Sequence, residues 1–105
     1  MKKGKLIVIE GTDCSGKKTQ TELLVKKLRA EGISCENFSF PFYNSPTGKI
    51  IAGPYLAKPQ YNIEGYFPEG AANVHSQVAS LYFAADRKYN IEKITNLLNK
   101  GINVI

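Results

Sequence analysis

The sequence predicts an α/β fold in which helices alternate with the strands of a parallel sheet. Residues 5–10 are predicted as a strand, because residues 6–9 form a continuous apolar run of the kind found in buried parallel strands. Residues 33–40 and 102–105 are predicted as two further strands. Helical patterns separate these strands, and Gly32 and Gly101 lie where C-cap glycines belong. Such strand–helix–strand units are nearly always right-handed. The 105 residues suffice for one small domain, and residues 1–105 are predicted to form one.

The first predicted strand leads into a loop that matches most of a phosphate-binding motif. Gly11, Gly16 and Lys17 satisfy G-x-x-x-x-G-K-[ST], whereas the last position is Lys18. Backbone N–H groups of such a loop, with the positive end of the following helix, cradle phosphate oxygens. Lys17 would place a point charge between the outer phosphates. A strand before the loop and a helix after it favour a nucleoside-triphosphate site over a chance glycine-rich turn.

The remaining chain is predicted as helices and one irregular segment. The first helix runs from the loop to about residue 31, a short helix covers residues 47–56, and residues 57–73 are irregular. Two further helices are predicted at residues 74–89 and 91–100, with Asn90 as the N-cap of the second. The apolar positions expected to face the interior are Leu23, Leu24, Leu28, Val78, Leu81, Tyr82, Ala85, Ile91, Ile94, Leu97 and Leu98.

Composition excludes several classes of protein. Hydrophobic residues make up 43% and charged residues 22%, which is ordinary for a soluble globular domain. The net charge of +5 could indicate nucleic acid, but the basic residues are dispersed and are not interleaved with aromatic residues. A basic balance also suits polyphosphate ligands. We therefore expect small-molecule nucleotides as partners and no nucleic acid.

Location and cysteine use give weaker indications. No apolar run is long enough to span a membrane and no secretory signal is recognised, so no membrane partner and a cytoplasmic location are expected. Cys14 and Cys35 form neither a disulfide framework nor a zinc spacing. Cys14 lies in the phosphate loop near a helix N-terminus, where thiols become reactive. A redox role is one interpretation, and an incidental loop side chain is the favoured one.

Four pieces of the chain carry a resemblance to a known family. They are IEGTDCSGKKTQ at the phosphate loop, FPFYNSPTGK after the second strand, SLYFAADRKY in a helical pattern, and a last helix with GINVI. With Asp13 and the Phe-x-x-x-Arg spacing of Phe83 and Arg87, they make the chain similar to the N-terminal half of thymidylate kinases. The resemblance implies a P-loop NTPase fold of three α/β/α layers with a parallel sheet, truncated after the third strand.

The resemblance implies a donor side that binds ATP. Lys17 would stabilise the transferred phosphoryl group, and Lys17 and Asp13 are the implied catalytic residues. The family uses Mg²⁺ with ATP, but no residue of this chain is predicted as a metal ligand. The residues implied in binding ATP are Gly11, Thr12, Asp13, Cys14, Ser15, Gly16, Lys17, Lys18 and Thr19.

The resemblance also implies an acceptor side that binds dTMP. Asp13 would face the monophosphate, Phe83 would stack on thymine, and Arg87 would reach the base edge or the phosphate. Phe40 and Tyr43 would line the pocket. The residues alone leave alternatives open: Phe83 as a core aromatic residue, Arg87 on a solvated face, and Asp13 as a turn residue.

Three positions depart from the family pattern. Most P-loops have a hydroxyl where this chain has Lys18, and a charged lysine has no lone pair for Mg²⁺. Some relatives have a catalytic arginine where this chain has Cys14. Many carry a phosphate-binding arginine in the segment occupied here by Phe42 and Tyr43. The charge needed for catalysis would then come from elsewhere.

The sequence is compatible with two functions. The first is a kinase that transfers the γ-phosphoryl group of ATP to dTMP and gives dTDP. The second is a non-catalytic nucleotide-binding fragment or dimerisation module, because a chain that stops at a four-residue buried strand is expected to be truncated and catalytically impaired. The family often dimerises through helices of this half, so a homodimer is expected for either function.

Overall fold

The structure, a computed structural model, describes residues 2–12, 14–61 and 64–105. The chain divides into two compact units. The first contains Met1–Phe38 and Lys93–Ile105, and the second contains Ser39–Glu92. The expectation that residues 1–105 form one domain stays a prediction.

The first unit is built around a small parallel sheet. Helix α1 (Lys17–Ala30) is followed by strand β1 (Cys35–Glu36), which pairs in parallel with strand β2 (Asn103–Val104). Val104 also forms a parallel bridge to Leu6, and the Ile7 amide donates to the Val104 carbonyl at 2.8 Å. The three predicted strands therefore pair in parallel, with residues 103–104 in the middle, although each regular stretch is shorter than predicted.

The first unit has its core on one face of α1. Val25, Cys35 and Ile105 are buried together, and Ile9, Leu24 and Leu28 pack against them. The prediction for Leu23 was wrong, since its side chain is 55% exposed. Residues two apart on a helix point about 200° apart, so Leu23 faces away when Val25 faces the sheet.

The run at residues 5–10 is not the buried strand that its composition predicted. Leu6, Ile7 and Val8 are 50%, 40% and 66% exposed. Among the described residues, this segment pairs on one side only, with β2. The segment therefore lacks the second neighbouring strand that a central strand would have, which leaves its apolar residues more accessible to solvent.

The second unit begins with a short helix in the predicted place. Helix α2 (Pro46–Ile50) is capped by the Ser45 hydroxyl, which accepts from the Gly48 amide at 3.2 Å. It continues into a π-helical turn (Ile51–Tyr55). Pro54 lies inside that turn and has no N–H to continue an α-helical ladder. The irregular segment that follows contains two 3₁₀ turns, Pro59–Tyr61 and Ala71–Asn73.

Helix α3 (Ser76–Asn99) is continuous, so the predicted break with Asn90 as N-cap was wrong. The Asn90 side chain is fully buried and donates to the Asp86 carbonyl at 2.9 Å, one turn earlier. Because the Asn90 side chain bonds to the preceding turn of the same helix, it does not act as the N-cap of a new one.

The inward face of α3 also differs from the prediction. Val78, Leu81 and Ile91 are 42%, 67% and 42% exposed, and Ala85 is exposed as well. Ile94 is buried as predicted.

Among the described residues, no helix is both long and apolar enough to cross a membrane.

Candidate functional site

The loop before α1 has the backbone of an anion-binding concavity. Cys14 and Gly16 both take left-handed conformations, with φ of 62° and 90°, and the Ser15 amide between them donates to the Thr12 carbonyl at 3.3 Å. Left-handed residues at alternate positions turn backbone N–H groups toward one side. Gly16 adopts its φ without steric cost, whereas Cys14 is a residue type that rarely does so.

Helix α1 starts at this loop with free amides. The first helical bond runs from the Gln20 amide to the Gly16 carbonyl at 2.9 Å. The amides of residues 17–19 precede that bond and have no protein acceptor among the described residues. No acidic residue lies in the first turn, so the positive end of the helix is not neutralised there.

An open depression of about 300 Å³ lies at this helix end. Six consecutive residues line it, namely Cys14, Ser15, Gly16, Lys17, Lys18 and Thr19. A volume of this size is at the lower end for small-molecule sites. The depression thus combines a helix N-terminus, free amides and two lysines, which favours phosphate oxygens as its ligand.

The stem of the Lys17 side chain packs close to Gly11, near the start of the loop. A Cβ placed on Gly11 would come within 2.7 Å of the Ser15 Oγ and 3.3 Å of the Lys17 Cγ. The glycine thus leaves room for the lysine stem, and Lys17 is the half-buried member of the loop. Gly11, Thr12, Lys18 and Thr19 are exposed. Asp13, predicted to be catalytic, lies outside the described residues.

The described loop does not itself form a metal site. No group of three or more His, Cys, Asp or Glu side chains is arranged to hold a metal in the part of the chain that the structure describes. Lys18 offers no lone pair, and the oxygen donors beside it are the exposed hydroxyls of Ser15 and Thr19. The residues therefore fit phosphate groups and do not fit a Mg²⁺ site made of protein ligands.

Apart from Asp13, the residues predicted to bind the acceptor belong to the second unit. Arg87 lies over the ring of Phe40, with its guanidinium carbon 5.8 Å from the ring centroid. Lys58 lies over the ring of Tyr43, with Nζ 4.2 Å from the centroid. Both rings are half-buried, and Arg87 is exposed on α3. The segment at residues 40–43 thus presents two aromatic rings that each contact a cation.

A buried carboxylate fixes that segment to α3. Asp86 is 1% exposed, and its Oδ2 accepts from the Phe42 amide at 2.9 Å. Its Oδ1 accepts from the Thr47 hydroxyl at 2.7 Å and from the Asn90 amide at 3.0 Å. Asp86 therefore joins the turn after residue 40, the start of α2 and the middle of α3.

Phe83 lies at the edge of an aromatic cluster. Its ring meets the ring of Tyr55 edge-on, with centroids 5.9 Å apart and an interplanar angle of 88°. Tyr55 also stacks on Tyr82 at 5.7 Å and meets Phe67 edge-on at 5.8 Å. Because Phe83 is only half-buried, this packing suits a core aromatic residue and leaves ring surface for a ligand.

The predicted site residues therefore fall into two groups, each within one unit. Of the predicted loop residues, 14–19 line the depression at α1, and Gly11 and Thr12 precede it in the same unit. Phe40, Tyr43, Phe83 and Arg87 are in the second unit. Sequence reasoning missed Asp86, Asn90, Tyr55 and Lys58. Asp86 and Asn90, one helical turn apart, were a detectable polar pair, whereas no local pattern marked Lys58.

Comparisons with known proteins agree on one family. The family model described as Thymidylate kinase matches residues 9–105. The thymidylate kinase of Schizosaccharomyces pombe is 38% identical over 103 residues, which cover 98% of this chain and 43% of that protein. The human thymidylate kinase is 31% identical over 104 residues, covering 99% and 43%.

A solved structure agrees with the sequence relatives. A thymidylate kinase structure from Candida albicans matches 98% of this chain with a TM-score of 0.72 and 35% identity, and the match covers 39% of that chain. The present chain thus spans less than half the length of the relatives that it matches.

Proposed function

Because the chain belongs to the thymidylate kinase family, we propose that it binds ATP and dTMP and transfers the γ-phosphoryl group, giving ADP and dTDP. The observation that carries this proposal is the depression at the start of α1, where free amides and Lys17 suit a polyphosphate. A generic phosphate site would leave the acceptor open. The family relationship favours dTMP.

The donor side would act by positioning and charge neutralisation. The amides of residues 17–19 would hold the β- and γ-phosphates, and the Lys17 ammonium would neutralise charge on the transferred group. Phosphoryl transfer needs little covalent help from a protein, so alignment and stabilisation of charge are the main contributions. Mg²⁺ would neutralise phosphate charge when bound, and we expect it to arrive with the nucleotide because the described residues contain no cluster of side chains suited to hold a metal.

The acceptor side would select a planar base and an anionic tail. Phe83 would stack on thymine, while Phe40 and Tyr43 would line the pocket. Arg87, already over the Phe40 ring, would reach a base carbonyl or the phosphate. Asp13 would orient the monophosphate. We further propose a three-layer P-loop fold, a homodimer, a cytoplasmic location, and partners limited to small nucleotides without nucleic acid or membrane.

A non-catalytic nucleotide-binding or dimerisation module is the second candidate. Lys18 in place of the usual hydroxyl favours it. The two candidates differ in turnover: both bind nucleotide, but only the kinase converts ATP and dTMP to ADP and dTDP.

A coupled assay for ADP formation from ATP and dTMP tests the proposal. The wild-type protein should form ADP only when dTMP is present, and Lys17→Ala should lower kcat/KM about a hundredfold, because a charge at the transferring phosphoryl group is lost. Lys27→Ala, which removes an exposed lysine of the same helix, is the matched control and should leave the rate unchanged. ATP binding without ADP formation by the wild type would contradict the kinase and favour the second candidate.

A further inference from the structure

Lys58 contributes an ammonium group to the segment at residues 40–43. Its Nζ lies 4.2 Å from the centroid of the Tyr43 ring, well inside the distance of a cation–π contact. Arg87 makes the corresponding contact with Phe40 at 5.8 Å. Residues 40–48 contain no lysine or arginine, so the positive charge on this segment comes from these two side chains.

Neither cation is neutralised within the described structure. The ion pair found there joins Arg29 to Glu36 in the first unit, and no described carboxylate lies within ion-pair distance of Lys58 or Arg87. A ring face attracts an ammonium group but accepts little from its three N–H donors. The Tyr43 hydroxyl also has no hydrogen-bond partner among the described residues. Lys58 and Tyr43 together thus offer unused donors and a positive charge.

The backbone holds Lys58 in place through an unusual turn. Ala57 has a left-handed conformation with φ of 53°, which alanine rarely adopts. The Ala57 amide donates to the Gly53 carbonyl and the Lys58 amide to the Ala52 carbonyl, both at 2.8 Å. Both acceptors belong to the buried π-helical turn. Strained residues and π-helical turns cluster at ligand sites, and here both precede the same lysine.

We propose that Lys58 and Tyr43 form the part of the acceptor site that binds the phosphate of the monophosphate nucleotide, an inference that rests on the proposed function. A phosphate monoester carries nearly two negative charges at neutral pH and has three acceptor oxygens. The lysine supplies charge and up to three donors, and the phenol supplies one more. Arg87 would then be left for the base edge.

Calorimetry with dTMP and thymidine tests this assignment, because the two ligands differ only in the phosphate. Lys58→Gln should weaken dTMP binding about tenfold, the cost of one charge-assisted contact, and should leave thymidine binding unchanged. Lys58→Arg should keep most of the dTMP affinity because it keeps the charge. Lys49→Gln, an exposed lysine of the same unit, is the matched control and should alter neither affinity.

The possible outcomes separate the inference from the proposed function. If wild type binds dTMP and Lys58→Gln binds it equally well, the inference is wrong and the kinase proposal is unaffected. If Lys58→Gln loses dTMP and thymidine in equal measure, Lys58 merely supports the fold and the inference is again wrong. If wild type binds ATP but not dTMP, the proposed acceptor is wrong and the inference is overturned with it.

Discussion

At the scale of single residues, Asp86 organises the second unit. Its carboxylate takes hydrogen bonds from the Phe42 amide, the Thr47 hydroxyl and the Asn90 side chain. The single proton of Ser45 goes to the Phe42 carbonyl at 2.7 Å, because the Asp86 oxygen is farther away at 3.3 Å. Phe42 lies between Phe40 and Tyr43 in the sequence. By holding the Phe42 amide, Asp86 therefore helps to position the two aromatic rings of the proposed acceptor site.

Asp86→Ala should lower the free energy of unfolding by about 3 kcal/mol, because the half-buried donors of Phe42 and Thr47 and the buried donor of Asn90 lose their acceptor. Urea denaturation measures the change through a shift of the midpoint at constant slope. Lys88→Ala, an exposed position two residues along α3, should change the stability by less than about 0.5 kcal/mol. Equal effects of the two substitutions would show that the carboxylate does not carry this network.

At the scale of secondary structure, α3 begins at a histidine that serves as a cap. The His75 Nδ1 accepts from the Gln77 amide at 3.1 Å, and the His75 carbonyl accepts from the amides of Val78 and Ala79. Histidine is not among the preferred N-cap residues, and no acidic side chain supports the first turn. The start of this long helix therefore depends on a weak cap.

His75→Ala should destabilise the protein by about 1 kcal/mol, because the Gln77 amide loses its acceptor, while His75→Asp should be at least as stable as wild type. Thermal unfolding followed by circular dichroism measures both. Gln77→Ala is the control: it keeps the backbone amide and removes an exposed side chain. A wild-type melting temperature for His75→Ala would show that the imidazole contributes nothing to the helix.

At the scale of the whole molecule, residues 6–8 present an apolar segment with one unpaired side among the described residues. Val8 is 66% exposed, and β2 covers the segment on its other side. Exposed strand edges pair readily with edges of other chains, and charged residues prevent this. Within the described chain, we therefore expect this segment to be the starting point for aggregation.

Val8→Lys should raise the concentration at which the protein aggregates, because an edge ammonium group opposes pairing with a second edge. Light scattering against concentration measures the threshold. The change should cost less than about 0.5 kcal/mol of stability, since the side chain is mostly exposed already. Ala84→Lys adds the same charge at an exposed position of α3. If it raises the threshold equally, net charge rather than the edge is responsible.

The predictable part of the fold depended on signals between near neighbours. Gly32 and Gly101 end helices with φ of 78° and 81°, as their positions predicted. The order of strand, loop and helix around Gly16 could be predicted because the signals for it all lie within residues 5–19. The break at Asn90 was wrongly predicted from the same kind of signal. Its side chain donates to Ser45 and Thr47, which are 45 and 43 residues away, as well as to Asp86 in its own helix.

The sequence by itself determined the phosphate loop, the parallel order of the chain and the family, because motif spacing, glycine positions and apolar runs are local properties of the polymer. Only the tertiary structure decided the continuity of α3, the burial of Val25 in place of Leu23, and the contacts of Asp86 and Lys58. These features depend on which helices and loops pack against one another. Asp86 and Phe42 are 44 residues apart in the sequence, and the Asp86 carboxylate meets the Phe42 backbone amide only when the chain has folded.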